Sequence, residues 1–244
     1  MARILVTGST EGLGYATAEA LLAEGHEVVV HARNDRRVDA VRPLIERGAD
    51  LVVADFADNE ETARAVAELN DREPIDAVVH NAGAISGPPV IPVNIVAPYL
   101  LTAALRSPRR HIYISSGMHR SGSPSLDGID WTGARATGTY ADSKLFVTAL
   151  AAALARLRPE SLSNAVDPGW VPTRMGGAGA PDDFELGHET QEWLAASEEP
   201  EALTTDGYWY HRHLARPHPA VHDVSFQDRL LTSLEAATGV PFSP

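Results

Sequence analysis

Short apolar runs alternate with amphipathic stretches along the first two thirds of the chain. The apolar runs predict six strands, at residues 4–7, 28–30, 51–53, 75–79, 111–114 and 161–166. The stretches between them predict helices at residues 13–24, 35–47, 59–70, 94–105 and 140–157. Strands that are apolar at nearly every residue are typical of a parallel sheet covered by helices on both faces. The pattern therefore predicts a doubly wound α/β fold in three α/β/α layers, with a single domain over residues 1–244.

The pattern weakens in the last third of the chain. Residues 176–181 are almost entirely glycine and alanine, which predicts a mobile loop. We expect residues 176–222 to supply a substrate loop or lid and part of the C-terminal region. Weaker patterns predict a helix near residues 189–196, a strand at 207–211 and a last helix at 224–237.

A glycine-rich segment stands between the first predicted strand and the first predicted helix. Without side chains at Gly8 and Gly12 the backbone can approach a pyrophosphate, and Gly14 lets the helix pack close to the strand. At the first βα turn of an alternating chain this predicts a Rossmann-type dinucleotide-binding domain. Its loop would consist of Gly8, Ser9, Thr10, Glu11, Gly12, Leu13 and Gly14.

Lys144 is the only lysine of the chain, in which every other cationic side chain of the Lys/Arg type is arginine. Tyr140 lies four residues before it, so a helix would place both side chains on one face. An ammonium at ~4 Å and an effective dielectric of ~20 contributes about 4 kcal/mol, or roughly three pKa units. We therefore expect Lys144 to lower the pKa of the Tyr140 phenol from about 10 toward neutrality.

The glycine spacing Gly-x-x-x-Gly-x-Gly resembles that of the short-chain dehydrogenase/reductase family. Further motifs follow in the family's order over about residues 1–175. They are Asp55 after the third strand, Asn81-Ala82-Gly83 after the fourth, Ser115-Ser116 after the fifth, Tyr140-Ala-Asp-Ser-Lys144, and Pro168-Gly169-Trp-Val-Pro-Thr173 after the sixth.

The resemblance implies reversible hydride transfer between a nicotinamide cofactor and a carbonyl/alcohol substrate. Tyr140 would be the acid/base, Lys144 its electrostatic partner and a ligand of the nicotinamide ribose, and Ser116 the group that polarises the carbonyl. Asn94 would relay protons to Lys144 through a water. The implied cofactor ligands beyond the glycine loop are Arg33, Asp55, Phe56, Asn81, Ala82, Gly83, Tyr140, Lys144, Pro168, Gly169, Val171 and Thr173.

Two spacings depart from the usual family pattern. Ser116 and Tyr140 are 24 residues apart, which resembles the retinol-dehydrogenase-like branch. We expect the insert at residues 117–138 to form part of the substrate wall, with Met118, His119 and Trp131 as candidates.

The second departure is a segment of only 13 residues from Asn81 to Asn94, about half the family's usual length. Pro92 and the run Gly87-Pro88-Pro89 leave little helix before Asn94, which puts the proton relay and the usual oligomer interface in question.

The end of the second predicted strand bears on the cofactor. NAD enzymes place an acid there for the ribose hydroxyls, whereas this chain has Ala32 followed by Arg33. A guanidinium can pair bidentately with a 2′-phosphate, so NADP(H) is favoured over NAD(H). Glu11 argues the other way, because its charge would repel that phosphate.

Composition limits the classes of partner. A net charge of −13 argues against nucleic acids and anionic membranes as partners. The chain has no cysteine, and the cluster His211, His213, His218 and His222 lacks the spacing of a metal site, so we expect no metal. We expect a cytoplasmic enzyme for a small molecule, as a homodimer or homotetramer.

Two other functions remain open at this point. A regulatory protein could bind NADP(H) as a sensor without turnover, and the short segment before Asn94 favours that alternative. A dehydratase or epimerase acting on nucleotide sugars would use a similar site, although a larger C-terminal substrate domain would be expected.

Overall fold

A computed structural model describes residues 1–106 and 108–242. One sheet in the order β3-β2-β1-β4-β5-β6-β7-β8 forms its centre. β1 to β7 run parallel, and β8 pairs antiparallel with β7. The strands are β1 Arg3–Val6, β2 Glu27–Ala32, β3 Asp50–Val53, β4 Ala77–His80, β5 Arg110–Ile114, β6 Leu162–Asp167, β7 Gly207–Tyr210 and β8 His213–Leu214. The six predicted strands are all present, each beginning within two residues of its predicted start.

Helices cover both faces of the sheet, as predicted for a doubly wound fold. They are α1 Gly12–Ala23, α2 Arg42–Glu46, α3 Asn59–Asn70, α4 Ala97–Ala104, α5 Tyr140–Leu157, α6 Phe184–Ala196 and α7 Val224–Thr238. One core cluster lies between the sheet and α4, α5 and α7. A second lies between the sheet and the helices α1 and α6, and a third between the sheet and the helices α3 and α4. Among residues 1–106 and 108–242, no helix has the length and hydropathy of a membrane span.

The helix predicted over residues 35–47 is wrong in part. Residues Asp35–Val41 form a 3-10 helix, and only the short α2 follows it. Pro43 has no N–H to donate to the carbonyl of Asp39, which instead accepts from the Arg42 N–H. An uninterrupted α-helix through Pro43 would lose this hydrogen bond, and the residues before Pro43 form a 3-10 helix instead.

The helix predicted over residues 94–105 begins differently. Helical structure starts at Val90, and residues Pro92–Val96 form a π-helical turn that leads into α4. The Ala97 N–H donates to the Pro92 carbonyl, five residues back. Pro98 cannot donate to Asn94, so the regular i→i−4 ladder is interrupted at that residue.

The C-terminal region is more regular than its sequence pattern indicated. α6 begins five residues before the predicted helix, where the Asp183 side chain accepts from the N–H groups of Glu185 and Leu186. A hairpin was missed, because β8 has only two residues. His211 and Arg212 form its turn with positive φ angles of 47° and 61°.

Candidate active site

The glycine loop lies against the backbone at the carboxyl end of β4. Gly8 has a φ of +67°, and a Cβ there would lie 2.9 Å from the Ala82 Cα. A Cβ at Gly14 would lie 2.3 Å from the Asn81 Nδ2. Neither position has room for a side chain, so both require glycine. The N-terminus of α1, which no side chain caps, lies within this loop. The loop fits the pyrophosphate of a dinucleotide.

The side chain of His31 supports the glycine loop by a hydrogen bond to its backbone. Its Nδ1 accepts from the Gly8 N–H at 2.9 Å, and its Nε2 lies 2.8 Å from the Ala54 carbonyl. The neutral tautomer with a proton on Nε2 satisfies both contacts. Burial lowers the pKa of His31 to about 4, which keeps that tautomer at neutral pH. Phe56 is buried, and its ring stacks on the His31 ring with 4.0 Å between the ring centres.

Asn81 joins β1 to β4 where the two strands end. Its backbone N–H donates to the Thr7 hydroxyl at 2.9 Å, and its side-chain amide donates to the Thr7 carbonyl at 2.8 Å. The Ala82 N–H also donates to the Thr7 hydroxyl, at 2.9 Å. These bonds fix the spacing between the glycine loop and the Asn81–Gly83 segment, which together form one wall of the groove.

The remaining glycine-loop side chains have different surroundings. The Ser9 hydroxyl faces the core, where it donates to the Val6 carbonyl and accepts from the His31 N–H. Glu11 does not present a free negative charge to the groove. Its carboxylate pairs with Arg37 at 2.8 Å and with Arg174 at 2.9 Å. Two guanidinium groups therefore offset the charge of Glu11, and its effect on a phosphate stays a prediction.

Arg33 and Asp55 follow β2 and β3 at the far side of the groove. Arg33 is exposed directly after the last residue of β2. Asp55 accepts from the Ala57 N–H at 3.0 Å through one side-chain oxygen, and its backbone N–H donates to Glu61 at 2.7 Å. The Asp55 carboxylate retains acceptor capacity at the end of the strand.

Ser116, Tyr140 and Lys144 meet where β5 and α5 approach each other. Ser116 lies two residues after the end of β5, where its side chain accepts from the Met118 N–H and lowers the pKa of Tyr140. The neighbouring Ser115 is buried instead and bonds to the Thr148 hydroxyl at 2.6 Å. Tyr140 begins α5, whose N-terminus the Thr139 and Asp142 side chains cap reciprocally. Lys144 lies one turn later, with its Nζ 5.5 Å from the centre of the Tyr140 ring.

The electrostatics of this cluster differ from the expectation. Burial raises the pKa of Tyr140 to about 12, against a lowering by its Ser116 bond, and Asp167 raises it further. Burial lowers the pKa of Lys144 to about 8, and Asp167 acts against that lowering. The expectation that Lys144 moves the Tyr140 pKa toward neutrality is wrong for the chain alone. Its Nζ bonds to the Ile114 carbonyl at 2.6 Å, away from the phenol oxygen.

Asn94 does not contact Lys144 through its side chain. Its Oδ1 accepts from the Ala84 N–H at 2.7 Å, and its Nδ2 donates to the Ala84 carbonyl and the Ser143 hydroxyl, both at 2.9 Å. Its side chain therefore links Ala84, which follows the Asn81–Gly83 wall, to Ser143 of α5. Pro98, four residues later, has no N–H to donate to the Asn94 carbonyl.

Residues 168–182 cross the groove after β6. Thr173 lies beside Gly12, with its Cγ2 3.4 Å from the place of a Cβ there. Met175 lies beside Gly83, with its Cε 3.7 Å from the equivalent point. Pro168 and Val171 are buried, and Gly169 turns the chain with a φ of +82°. The segment therefore runs from the glycine loop to the Asn81–Gly83 wall.

The insert contributes less to a substrate wall than expected. Met118 is 54% exposed at the rim. His119 is fully buried, accepts from the His218 N–H at 2.9 Å, and its Nδ1 lies 2.7 Å from the Ser116 carbonyl. Trp131 packs on Phe146 in the core. His119 therefore anchors the turn after Ser116, and Met118 alone of the three faces outward at the site.

Three further residues of the site escaped the sequence analysis. Asp167 ends β6 as a buried acid, and the Tyr208 hydroxyl of β7 donates to it at 2.9 Å. Arg120 lies 4.0 Å from the same carboxylate and over the Tyr208 ring at 5.2 Å. An acid directly before Pro168-Gly169 was the available signal for Asp167. No motif indicated Tyr208 or Arg120.

The C-terminal histidines are dispersed in the structure. His218 caps a 3-10 turn by accepting from the Ala220 N–H, and His222 pairs with Asp206 at 3.2 Å. No group of three potential metal-ligating side chains converges within residues 1–106 and 108–242.

Known proteins match the chain in sequence and in fold. A family model described as short chain dehydrogenase matches residues 2–107. Short-chain dehydrogenase chry4 from Gibberella zeae is 35% identical, with 98% of both chains covered. A Streptomyces sp. (strain C5) protein, provisionally named daunorubicin C-13 ketoreductase DnrU, is 32% identical over 97% of this chain and 92% of its own.

Two solved structures extend the match to the fold. An uncharacterized protein from Mycobacterium paratuberculosis superposes with a TM-score of 0.83 at 21% identity, covering 100% of this chain and 96% of that one. A blue fluorescent protein from a metagenomic library, in complex with NADPH, gives a TM-score of 0.67 at 24% identity over 86% and 95% of the two chains.

The doubly wound sheet and its glycine loop define a dinucleotide-binding protein of the Rossmann class. Within that class the chain belongs to the short-chain dehydrogenase/reductase family and is an NAD(P)-binding oxidoreductase. The resemblance drawn from its motifs is thus confirmed at the level of the family. The retinol-dehydrogenase-like branch, suggested by the Ser116–Tyr140 spacing, stays a prediction.

Proposed function

We propose that this protein is an NADP(H)-dependent carbonyl reductase, with Tyr140 as the proton donor. The observation that carries the proposal is the placement of Ser116 beside Tyr140 at the carboxyl edge of the sheet, with Lys144 one helical turn further along α5. Together they supply an acid, a carbonyl-polarising hydroxyl and a cation beside a dinucleotide groove.

The protonation state of Tyr140 favours reduction of a carbonyl over oxidation of an alcohol. Because burial raises its pKa to about 12, the phenol carries its proton at neutral pH and can donate it to a new alkoxide. The Ser116 hydroxyl would hold the carbonyl oxygen in reach of that proton. When bound, the nicotinamide cofactor supplies the hydride.

Groups behind Tyr140 would return its proton. The Lys144 Nζ is buried beside the phenol ring and has a pKa of about 8, lowered by burial, so it can exchange a proton near neutral pH. The Asn94 carbonyl lacks its usual helical donor at Pro98 and would hold a water next to Lys144. We therefore assign the relay to the Asn94 main chain, while its side chain holds the site's wall.

The rim supports a ring-bearing or otherwise apolar substrate. Large apolar side chains stand exposed after three neighbouring strands, β5, β6 and β7: Met118, Trp170, Met175 and Tyr210. A rim of this kind fits a flat aromatic ketone better than a sugar or an amino acid. The relative DnrU is named as a ketoreductase that acts at C-13 of daunorubicin, which agrees with a ketone as the substrate class.

Other elements of the same chain cover most of α5, which limits the surfaces that an oligomer could use. Fourteen of its 18 residues are buried, and α7 and the 3-10 turns at residues 117–121 and 219–222 pack around it. A homodimer or homotetramer of this chain would need to form through another surface.

The test of the proposed function is an assay of the wild-type chain with NADPH and with NADH against aryl ketones, aliphatic ketones and aldehydes. We expect NADPH oxidation with at least one aryl ketone. The alternative is an NADP(H) sensor, for which the short segment before Asn94 is the motivation. Tight NADPH binding without turnover on any carbonyl would support the sensor and contradict the reductase.

Arg33 should select NADPH. Arg33→Ala removes the exposed guanidinium that follows β2, so we expect the KM for NADPH to rise roughly tenfold and the KM for NADH to stay within about twofold. Arg36→Ala is the matched control, since Arg36 is also exposed and lies three residues away. Equal effects of the two substitutions would remove Arg33 from the phosphate site.

Lys144 should not tolerate replacement by arginine. Its Nζ is enclosed beside the Ile114 carbonyl, and the residue is only 4% exposed, so a planar guanidinium has no room there. We expect Lys144→Arg to lower kcat by at least about tenfold although the charge is kept. Lys144→Met measures the loss of charge as well. Turnover of the arginine variant near the wild-type rate would show that shape at this position is unimportant.

A further inference from the structure

Asp167 occupies a place in the site that the proposed proton transfer does not use. It is the last residue of β6 and is 6% exposed. Its Oδ2 accepts from the Tyr208 hydroxyl at 2.9 Å, and its Oδ1 accepts from the Gly169 N–H at 3.1 Å. The carboxylate therefore connects β7 to the Pro168–Gly169 turn, which begins the segment over the groove.

The same carboxylate abuts the turn that follows Ser116. A Cβ at Gly117 would lie 3.1 Å from the Asp167 Oδ2, so glycine leaves space for the acid. Arg120, from the same turn, approaches the acid to 4.0 Å but is itself 47% exposed. β5 and β6 are paired here, with Ile114 opposite Val166. Asp167 thus stands one residue beyond the level at which Lys144 bonds to the Ile114 carbonyl.

Lys144 needs a nearby negative charge. Its ammonium is buried and donates to one neutral acceptor, the Ile114 carbonyl. A buried charge with only neutral neighbours is costly and tends to lose its proton. Asp167 is the carboxylate that acts on Lys144 and on Tyr140.

We propose that Asp167 is a positioning residue of the active site, which keeps Lys144 charged and holds the Pro168–Gly169 turn and Tyr208 against the catalytic cluster. It acts through Lys144 and Tyr140 and does not touch the reacting atoms. Its catalytic consequence rests on the proposed reductase function, whereas its effect on the charge of Lys144 does not.

The signs of the expected changes follow from the charges around the acid. The carboxylate favours the ammonium of Lys144 and disfavours a phenolate at Tyr140, so its removal lowers the pKa of both groups. Titratable or charged groups face it from each neighbouring element: His119 and Arg120 of the turn, Tyr140 and Lys144 of α5, and Tyr208 and Tyr210 of β7.

A single lysine makes the test direct. Protein labelled with 13C at the lysine ε-carbon gives one resonance, from Lys144, and its chemical shift reports the protonation of the amine. We expect the titration midpoint of Asp167→Asn to lie at least about one pH unit below that of the wild type. Asparagine keeps an acceptor for Tyr208 or Gly169, so the substitution removes mainly the charge.

Asp182→Asn is the matched control. Asp182 accepts from the backbone N–H of Trp170 at 2.6 Å in the same segment, but it does not act on Lys144. A midpoint unchanged by Asp167→Asn, or moved equally by both substitutions, overturns the proposal. Should Asp167→Asn not fold, Asp167→Ser carries the same expectation.

The pH profile of turnover gives the second readout. In Asp167→Asn, we expect the limb that reports loss of the Lys144 proton to move to lower pH with the resonance. A carboxylate with only a structural role would change the rate but not that pH. If the resonance moves and the wild type turns over no carbonyl, the proposed reductase function fails and the role of Asp167 stands.

Discussion

Tyr140→Phe should reduce kcat/KM for carbonyl reduction by about 10²–10⁴, the usual contribution of a positioned general acid. The substitution removes only the phenol hydroxyl group, and the neighbouring Ser116 remains in place just after β5. The carbonyl oxygen, on which negative charge develops in the transition state, would then have no proton donor. The measurement is the initial rate of NADPH oxidation with the best ketone from the panel.

Cofactor binding separates this effect from a general loss of structure. The glycine loop, Asn81 and Arg33 lie away from the phenol, so NADPH affinity measured by fluorescence should stay within about twofold of the wild type. Tyr15→Phe is the matched control, because Tyr15 is a partly buried tyrosine of α1 outside the catalytic cluster. A Tyr140→Phe enzyme with near-normal turnover would mean that another group donates the proton.

The sequence was sufficient for the parts of the fold that local rules determine. Unbroken apolar runs predicted β1 to β6 correctly, and the glycine loop could be placed because its chemistry depends on consecutive residues. Proline caused the two helix errors. Pro43 and Pro98 each delete one specific hydrogen bond, and the choice between a 3-10 turn, a π turn and a break depends on packing that the local sequence does not contain.

The candidate site was predictable only where its residues share a motif. Ser116, Tyr140 and Lys144 come together as expected, but Asp167 and Tyr208 are 41 positions apart and meet only because β6 and β7 pair. The error on the Tyr140 pKa has the same origin. Its i+4 spacing from Lys144 implied a charge–charge effect, whereas the depth of burial, which dominates, is a property of the whole fold.

Acid should destabilise this protein before its carboxylates are protonated, because burial lowers the pKa of four histidines, His31, His80, His111 and His119. Burial lowers the pKa of His31 to about 4 and of His111 to about 3, and that of His80 falls well below its usual value of 6.5. The Nε2 of His80 lies 3.3 Å from the Nδ1 of His111, and the His80 ring stacks on Tyr113 at 4.4 Å.

The direction of the effect follows from proton uptake. Below pH 6.5 the unfolded chain protonates these side chains while the folded chain does not, so the free energy of unfolding falls as pH falls. Each such group contributes about 1 kcal/mol per pH unit until its folded-state pKa is reached. His188 opposes the trend in part: burial lowers its pKa, but Glu192 and Glu185 raise it above the usual value.

Between pH 6.5 and 5 we therefore expect a net loss of roughly 3 kcal/mol, a large share of the 5–15 kcal/mol typical of a domain. Urea unfolding at several pH values measures it. His80→Phe should flatten the dependence, since phenylalanine keeps the stacking on Tyr113 and removes a buried Nδ1 that has no partner among the described residues. His213→Gln, at an exposed histidine, should leave the slope unchanged.

Protonation of His31 would also affect the cofactor site. Protonation of its Nδ1 would remove the acceptor of the Gly8 N–H, and the loop would lose its support at the point where the backbone meets a pyrophosphate. Because the pKa of His31 in the folded protein is about 4, NADPH affinity should weaken only as the pH approaches that value, below the range in which stability is lost. If stability were flat from pH 7 to 5, these histidines would have to be charged or solvated in the folded protein, contrary to their burial.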